Sequence, residues 1–138
     1  MITDMELSIL LETMKNAEQT LESIQTMLTK VYDVDLAYEL NRQANNYREL
    51  ERKARQKLRS EGIFPKERTR RDKARNWYFL QANTLLNVST GHLAGLMIRE
   101  NQKGIMGMRE AACGFRNEFA EEFINFEEKN IEILRKYL

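Results

Sequence analysis

The feature that most constrains this chain is an unbroken three-and-four spacing of apolar residues near its start. Leu7, Leu10, Met14, Ala17, Leu21, Ile24, Leu28 and Val31 recur at that step, which lines up one face of an α-helix. A strand would alternate every second residue instead. The spacing predicts a helix over about 4–31, capped by Thr3 or Asp4 with Glu6 in its first turn. A second seam, Leu36, Leu40, Gln43, Tyr47, Leu50, Ala54 and Leu58, predicts a helix over about 35–61. Asp33 or Asp35 can start it, and Gly62 and Pro65 mark its end.

The second half of the chain reads the same way. Ala94, Ile98, Asn101, Ile105, Met108 and Ala112 predict a helix over about 90–112, ended by Gly114. Gly104 and Gly107 lie on a neighbouring face, and helical glycines there suggest a close helix contact or a kink. The last helix, about 116–137, carries two adjacent stripes, one with Phe119, Phe123, Phe126 and Asn130, the other with Ala120, Ile124, Glu127, Ile131 and Leu134. Between the two halves, Trp77, Phe79, Leu80, Ala82, Leu85 and Leu86 suggest a short apolar helix within 67–87. Val88-Ser89-Thr90-Gly91 reads as a break, with Ser89 or Thr90 capping the next helix. The expected architecture is one all-α domain over 1–138. It is an antiparallel four-helix bundle of two hairpins, joined by a long crossover that carries a short extra helix.

Composition excludes several classes. Six glycines and one proline are too few for the turns of an all-β fold. No apolar run approaches the roughly 18 residues of a spanning helix, and the acidic start lacks the pattern of a secretion signal. A cytoplasmic location without a membrane partner is expected. Cys113 is the only cysteine, which suits a reducing compartment. The only histidine, His92, is 21 positions away, so a packed or helix-end cysteine is a better reading than a nucleophile. No catalytic or cofactor motif is present. Most methionines share helical faces with leucines and read as core filling.

Each seam is interrupted by polar residues near its middle: Glu18, then Gln43 with Asn46, then Glu100 and Asn101, then Glu127 with Asn130. Folding each hairpin at its turn brings these to a similar height. Polar groups buried at one level must satisfy each other or hold an ion.

The stretches Asn83-Thr84-Leu85, Ser89-Thr90-Gly91-His92-Leu93-Ala94 and Leu96-Met97-Ile98 resemble the ferritin-like superfamily, and within it small bacterial four-helix proteins of about this length. So does the closing run from Glu127 through Asn130-Ile131-Glu132 to Leu134 and Tyr137-Leu138. The resemblance implies a di-metal layer in which two helices each give one Glu and two each give Glu-x-x-His. Glu18 and Glu100 match the single carboxylates. Glu127-x-x-Asn130 matches one motif with Asn for His, and Gln43-x-x-Asn46 matches the other with amides at both ends. Carboxamides are poor ligands for di-iron chemistry. Three readings of the layer stay open: a hydrogen-bonded cluster that fixes helix register, a single divalent metal held by Glu18, Glu100 and Glu127, with His92 about two turns from Glu100 as a further candidate ligand, and polar positions that face solvent instead.

Charge is uneven although the net value is +1. Residues 42–75 carry 13 Lys/Arg against five Asp/Glu, while 4–31 carry two against five. Arg68, Arg70, Arg71, Lys73 and Arg75 are candidates for binding phosphates, with Trp77 and Tyr78 available for stacking. The plainer reading is a solvated crossover facing acidic helices. The expected role is therefore a non-catalytic structural or interaction protein without a cofactor, working with a protein partner or as a homo-oligomer. The alternatives are a metal-handling protein with an atypical site, and an anion or nucleic-acid binder using residues 48–75.

Overall fold

A computed structural model describes all 138 residues. It contains five α-helices and no strand: α1 (Asp4–Leu28), α2 (Val34–Ser60), α3 (Arg70–Thr84), α4 (Thr90–Ala111) and α5 (Glu118–Leu134), closed by a 3₁₀ turn over Arg135–Tyr137. Each start carries a side-chain cap. Thr3, Asp33, Thr69, Ser89 and Asn117 accept hydrogen bonds from the first-turn amides of α1 to α5 in order, satisfying donors that would otherwise have no partner. Gly62 (φ 76°) and Gly114 (φ 75°) turn the chain out of α2 and α4 in the left-handed conformation that glycine adopts without steric cost. The break expected at 88–91 is present, with Ser89 as the cap.

The packing shows how the helices run. Leu10 and Met14, early in α1, cluster with Ala54 and Leu58, late in α2. Met108 and Ala112, at the end of α4, cluster with Ala120 and Phe123, at the start of α5. Both neighbouring pairs are therefore antiparallel. The largest cluster fills the opposite end, where Leu36, Leu40, Leu93, Met97 and Leu134 are fully or almost fully buried. Along α5, Glu127 lies between residues of the two ends, with Phe123 on one side and Ile131 on the other. α1 also packs on α4. At that contact Gly107 stands against the Glu12 side chain, and an added Cβ would overlap its carboxylate end.

The short third helix of the crossover is present over Arg70–Thr84, and most of its apolar side chains are uncovered. Only Leu80 and Thr84 of α3 are buried, whereas Trp77, Tyr78 and Phe79 are exposed. Leu85 and Leu86 lie beyond the helix end and are almost wholly exposed. α3 packs on the outside of α1 and runs parallel to it: Arg68, Asn76 and Gln81 pair with Glu22, Ser23 and Lys30 in rising order. A helix docked on one neighbour buries one line of side chains, and those off that line stay in water whatever their chemistry. No helix is long and apolar enough to cross a membrane.

Candidate functional site

A polar layer is present, but its membership differs from the sequence pattern. Its hub is Tyr47 of α2, which is fully buried. The Tyr47 hydroxyl lies 2.5 Å from Glu127 Oε1 and 2.9 Å from Asn101 Oδ1, and it accepts from Asn130 Nδ2 at 3.3 Å. Helices α2, α4 and α5 therefore meet on one oxygen. All four side chains are buried.

Proton counting limits the states of this cluster. Tyr47 has one proton to give and two oxygens to satisfy. If the hydroxyl donates to Asn101 Oδ1, the short contact to Glu127 needs a proton on the carboxyl. Burial pushes the Glu127 carboxyl up to about 8, and the negative charge of Glu100 adds to the rise, while the Tyr47 hydrogen bond opposes it. Burial thus favours the neutral acid of Glu127 at neutral pH, against the hydrogen bond that the Tyr47 hydroxyl gives to Glu127 Oε1. Tyr47 itself is held well above its ordinary range, first by burial and then by Glu127. Glu127 Oε2, Asn101 Nδ2 and Gln43 Oε1 are buried without a hydrogen-bond partner. Gly104 makes room beside the first of these: a Cβ there would sit 3.3 Å from Glu127 Oε2.

The other candidates diverge. Glu18 is drawn outward to Arg55 of α2, 3.2 Å away, and Arg55 also holds Glu51. Glu100 turns to the α1–α3 side, into a cleft of about 520 Å³ with Gln19, Asn76 and Lys103. Burial raises its pKa, with Lys103 opposing. Gln43 is fully buried and donates along its own helix to Glu39 at 3.1 Å. Asn46 is half-buried beside Phe126 and Lys129 at the α2–α5 surface. No three His, Cys, Asp or Glu side chains come close enough to hold a metal ion. The trio Glu18, Glu100 and Glu127 is thereby corrected: three positions at one level on three helices face three different neighbours. The residues present do not fit the di-metal layer that the resemblance implies.

His92 bonds the Asn83 carbonyl through Nε2 at 2.6 Å and fastens the link between α3 and α4. Cys113 is exposed past the other end of α4, so the two cannot act together. In the basic segment, Arg68 is committed to a two-pronged pair with Glu22 at 2.7 and 3.1 Å and leaves the set of free cations. Arg70, Arg71, Lys73 and Arg75 are exposed and make no ion pair.

Tyr47 is the member of the polar layer that the apolar pattern conceals. It stands among the seam positions of α2, yet a buried tyrosine needs a partner for its hydroxyl. A tyrosine one turn after Gln43, level with three polar seam positions, is the signal that the sequence carries. The chain matches no family model, and no curated protein or solved structure is significantly similar to it.

Proposed function

We propose that the chain is a non-catalytic member of the ferritin-like class, a four-helix bundle with an added crossover helix, whose role is to present its outer surface to a partner. The observation that carries this reading is the buried, hydrogen-bonded Tyr47–Glu127–Asn101–Asn130 cluster. It stands where metal-loaded bundles of this class carry carboxylates and imidazoles. A buried carboxyl bonded to a phenol sets helix register, because the partners come from different helices and a slipped helix leaves buried polar groups unpaired.

Melting temperatures of the wild type and Glu127→Gln, with chelator and with added Mn²⁺, Fe²⁺, Zn²⁺ or Ca²⁺, test the reading. Glutamine reproduces the neutral acid, with a donor toward Tyr47 and an acceptor beside it. The variant is expected to melt at or above the wild-type temperature at a pH of about 7.5, close to the folded-state value of the carboxyl, with no metal-linked shift in either protein. A metal-dependent rise in the wild type that disappears in the variant would overturn it, since only a ligand bound to the folded state raises stability in that way.

A further inference from the structure

α3 presents an unusual surface. Its inward line is Asn76, Leu80 and Thr84, which rest on α1 or are buried. The opposite line, at steps of four, three and four, is Arg71, Arg75, Tyr78 and Ala82, all exposed. Trp77 and Phe79 flank it, each about half exposed (48%), and Tyr78 between them is 67% exposed. Trp77 borders a cleft of about 590 Å³ between α3 and α1, with Lys73, Gln25 and Gln81 around it. Phe79 borders the 520 Å³ cleft on the other side, where Lys15, Arg75 and Lys103 stand around Gln19 and Glu100. The Trp77 and Tyr78 rings meet edge to face at 5.0 Å, and the Lys103 ammonium lies 5.2 Å from the Phe79 centroid.

We propose that this face binds single-stranded nucleic acid, with Arg71 and Arg75 on the phosphates and Tyr78, flanked by Trp77 and Phe79, against unpaired bases. Lys15 and Lys103 extend the positive rim on the Phe79 side. These four cations are exposed and without an ion pair; Asp72 and Glu100 are the acids of that cleft, and Glu22, paired with Arg68, borders the one beside Trp77. A polyanion answers the charge, and free bases answer the rings. A duplex answers only the charge, because its bases already stack on one another. An anionic membrane surface wants cations and apolar side chains on opposite faces, whereas Tyr78 shares one line with Arg71 and Arg75. At about 1.5 Å per residue α3 is roughly 22 Å long, a match for the smallest single-strand sites, of about four nucleotides. This face is separate from the Tyr47–Glu127 layer, so either reading stands without the other.

Trp77 is the only tryptophan and reports from the site itself. Oligo(dT) and oligo(U) strands of about twelve residues, longer than the smallest site, are titrated against the intact protein, following tryptophan fluorescence and the anisotropy of a labelled strand. Quenching is expected, with an affinity that falls with salt at a log–log slope of about −2 to −3, as about three or four phosphate contacts dictate. Arg71→Gln with Arg75→Gln is expected to weaken binding about tenfold and flatten that slope. Tyr78→Ala with Phe79→Ala is expected to weaken it at least about thirtyfold with the slope kept, as loss of stacking does. Circular dichroism of both variants should match the wild type, because the altered side chains lie outside the core. The proposal is overturned by any of these results: no quenching at a low salt of about 50 mM, equal binding of a heparin fragment or a DNA duplex, binding to phosphatidylserine vesicles that the oligonucleotide does not compete away, or wild-type affinity in the aromatic variant.

Discussion

The glycines of α4 show how a single atom's neighbour decides the sign of a substitution. Alanine at either position recovers about 1 kcal/mol of helix propensity. At Gly107 the new methyl would overlap Glu12 Oε1. That oxygen ends a flexible side chain near the surface, bonded to Asn16, and it can swing aside. At Gly104 the approach is only 3.3 Å, but the neighbour is Glu127, buried and fixed by Tyr47. Gly107→Ala is therefore expected to be neutral or stabilising, and Gly104→Ala to be the less stable of the two by about 1–2 kcal/mol. Thermal melts of the two variants side by side check the order, and the reverse order would mean that Glu127 is free to move. Tyr47→Phe belongs to the same scale. It removes the one group that Glu127, Asn101 and Asn130 share, and it is expected to cost about 2–4 kcal/mol in denaturant unfolding, because three buried polar groups lose a partner at once.

Among the elements, α3 is the one whose sequence and environment disagree. Its aromatic run has the composition of a core, yet it is exposed, and the helix is held by one line of contacts to α1, the Arg68–Glu22 pair and the His92 bond to the Asn83 carbonyl. The preceding link over 63–69 has no regular structure, and Lys66 in it is exposed. Limited trypsin digestion is expected to cut first after Lys66, where the backbone can enter a protease without unfolding a helix. The two fragments should stay associated, since α1 packs on α4 and Tyr47 of α2 bonds Asn101 and Glu127. First cleavage inside α2 or α4 would show that those helices open more readily than the link. Arg68→Ala should speed the first cut by loosening the start of α3, without lowering the stability of the remainder measurably.

At the scale of the whole molecule the buried carboxyls set how stability depends on pH. Glu127 has an ordinary value of 4.5 and is raised to about 8 by burial. Between those values the folded protein binds more protons than the unfolded chain, so stability falls as pH rises through that window and levels off above it. At a pH of about 7 the cost is on the order of 3 kcal/mol relative to about pH 4. Glu100 is also raised by burial and adds to the same trend. Glu39 is lowered, with the Arg42 hydrogen bond the largest cause acting in that direction against burial. Its contribution is present above the unfolded value and is lost as pH falls through its folded one. Unfolding curves from about pH 4 to 9 are expected to show stability greatest near pH 5 and declining toward about 8, and Glu127→Gln should remove most of the decline. A wild-type curve flat across that window would mean that the carboxyl is solvated in the folded protein.

The sequence alone determined the helices. Three-and-four apolar spacing survives any tertiary context, and Thr3, Asp33, Ser89, Gly62 and Gly114 act through hydrogen bonds and backbone angles within a few residues of themselves. The height of the polar layer was legible too, because helix length and short turns fix level. Direction around each helix was not. Neighbouring positions on a helix differ by about 100°, so Glu18, Glu100 and Glu127 share a level yet face Arg55, an outer cleft and Tyr47 respectively. The same limit hid α3. Its aromatic residues have the composition of a core helix, and whether such residues are buried depends on how many neighbours the helix has. Only the tertiary structure decided that α3 packs along α1 and meets α4 only at its edges.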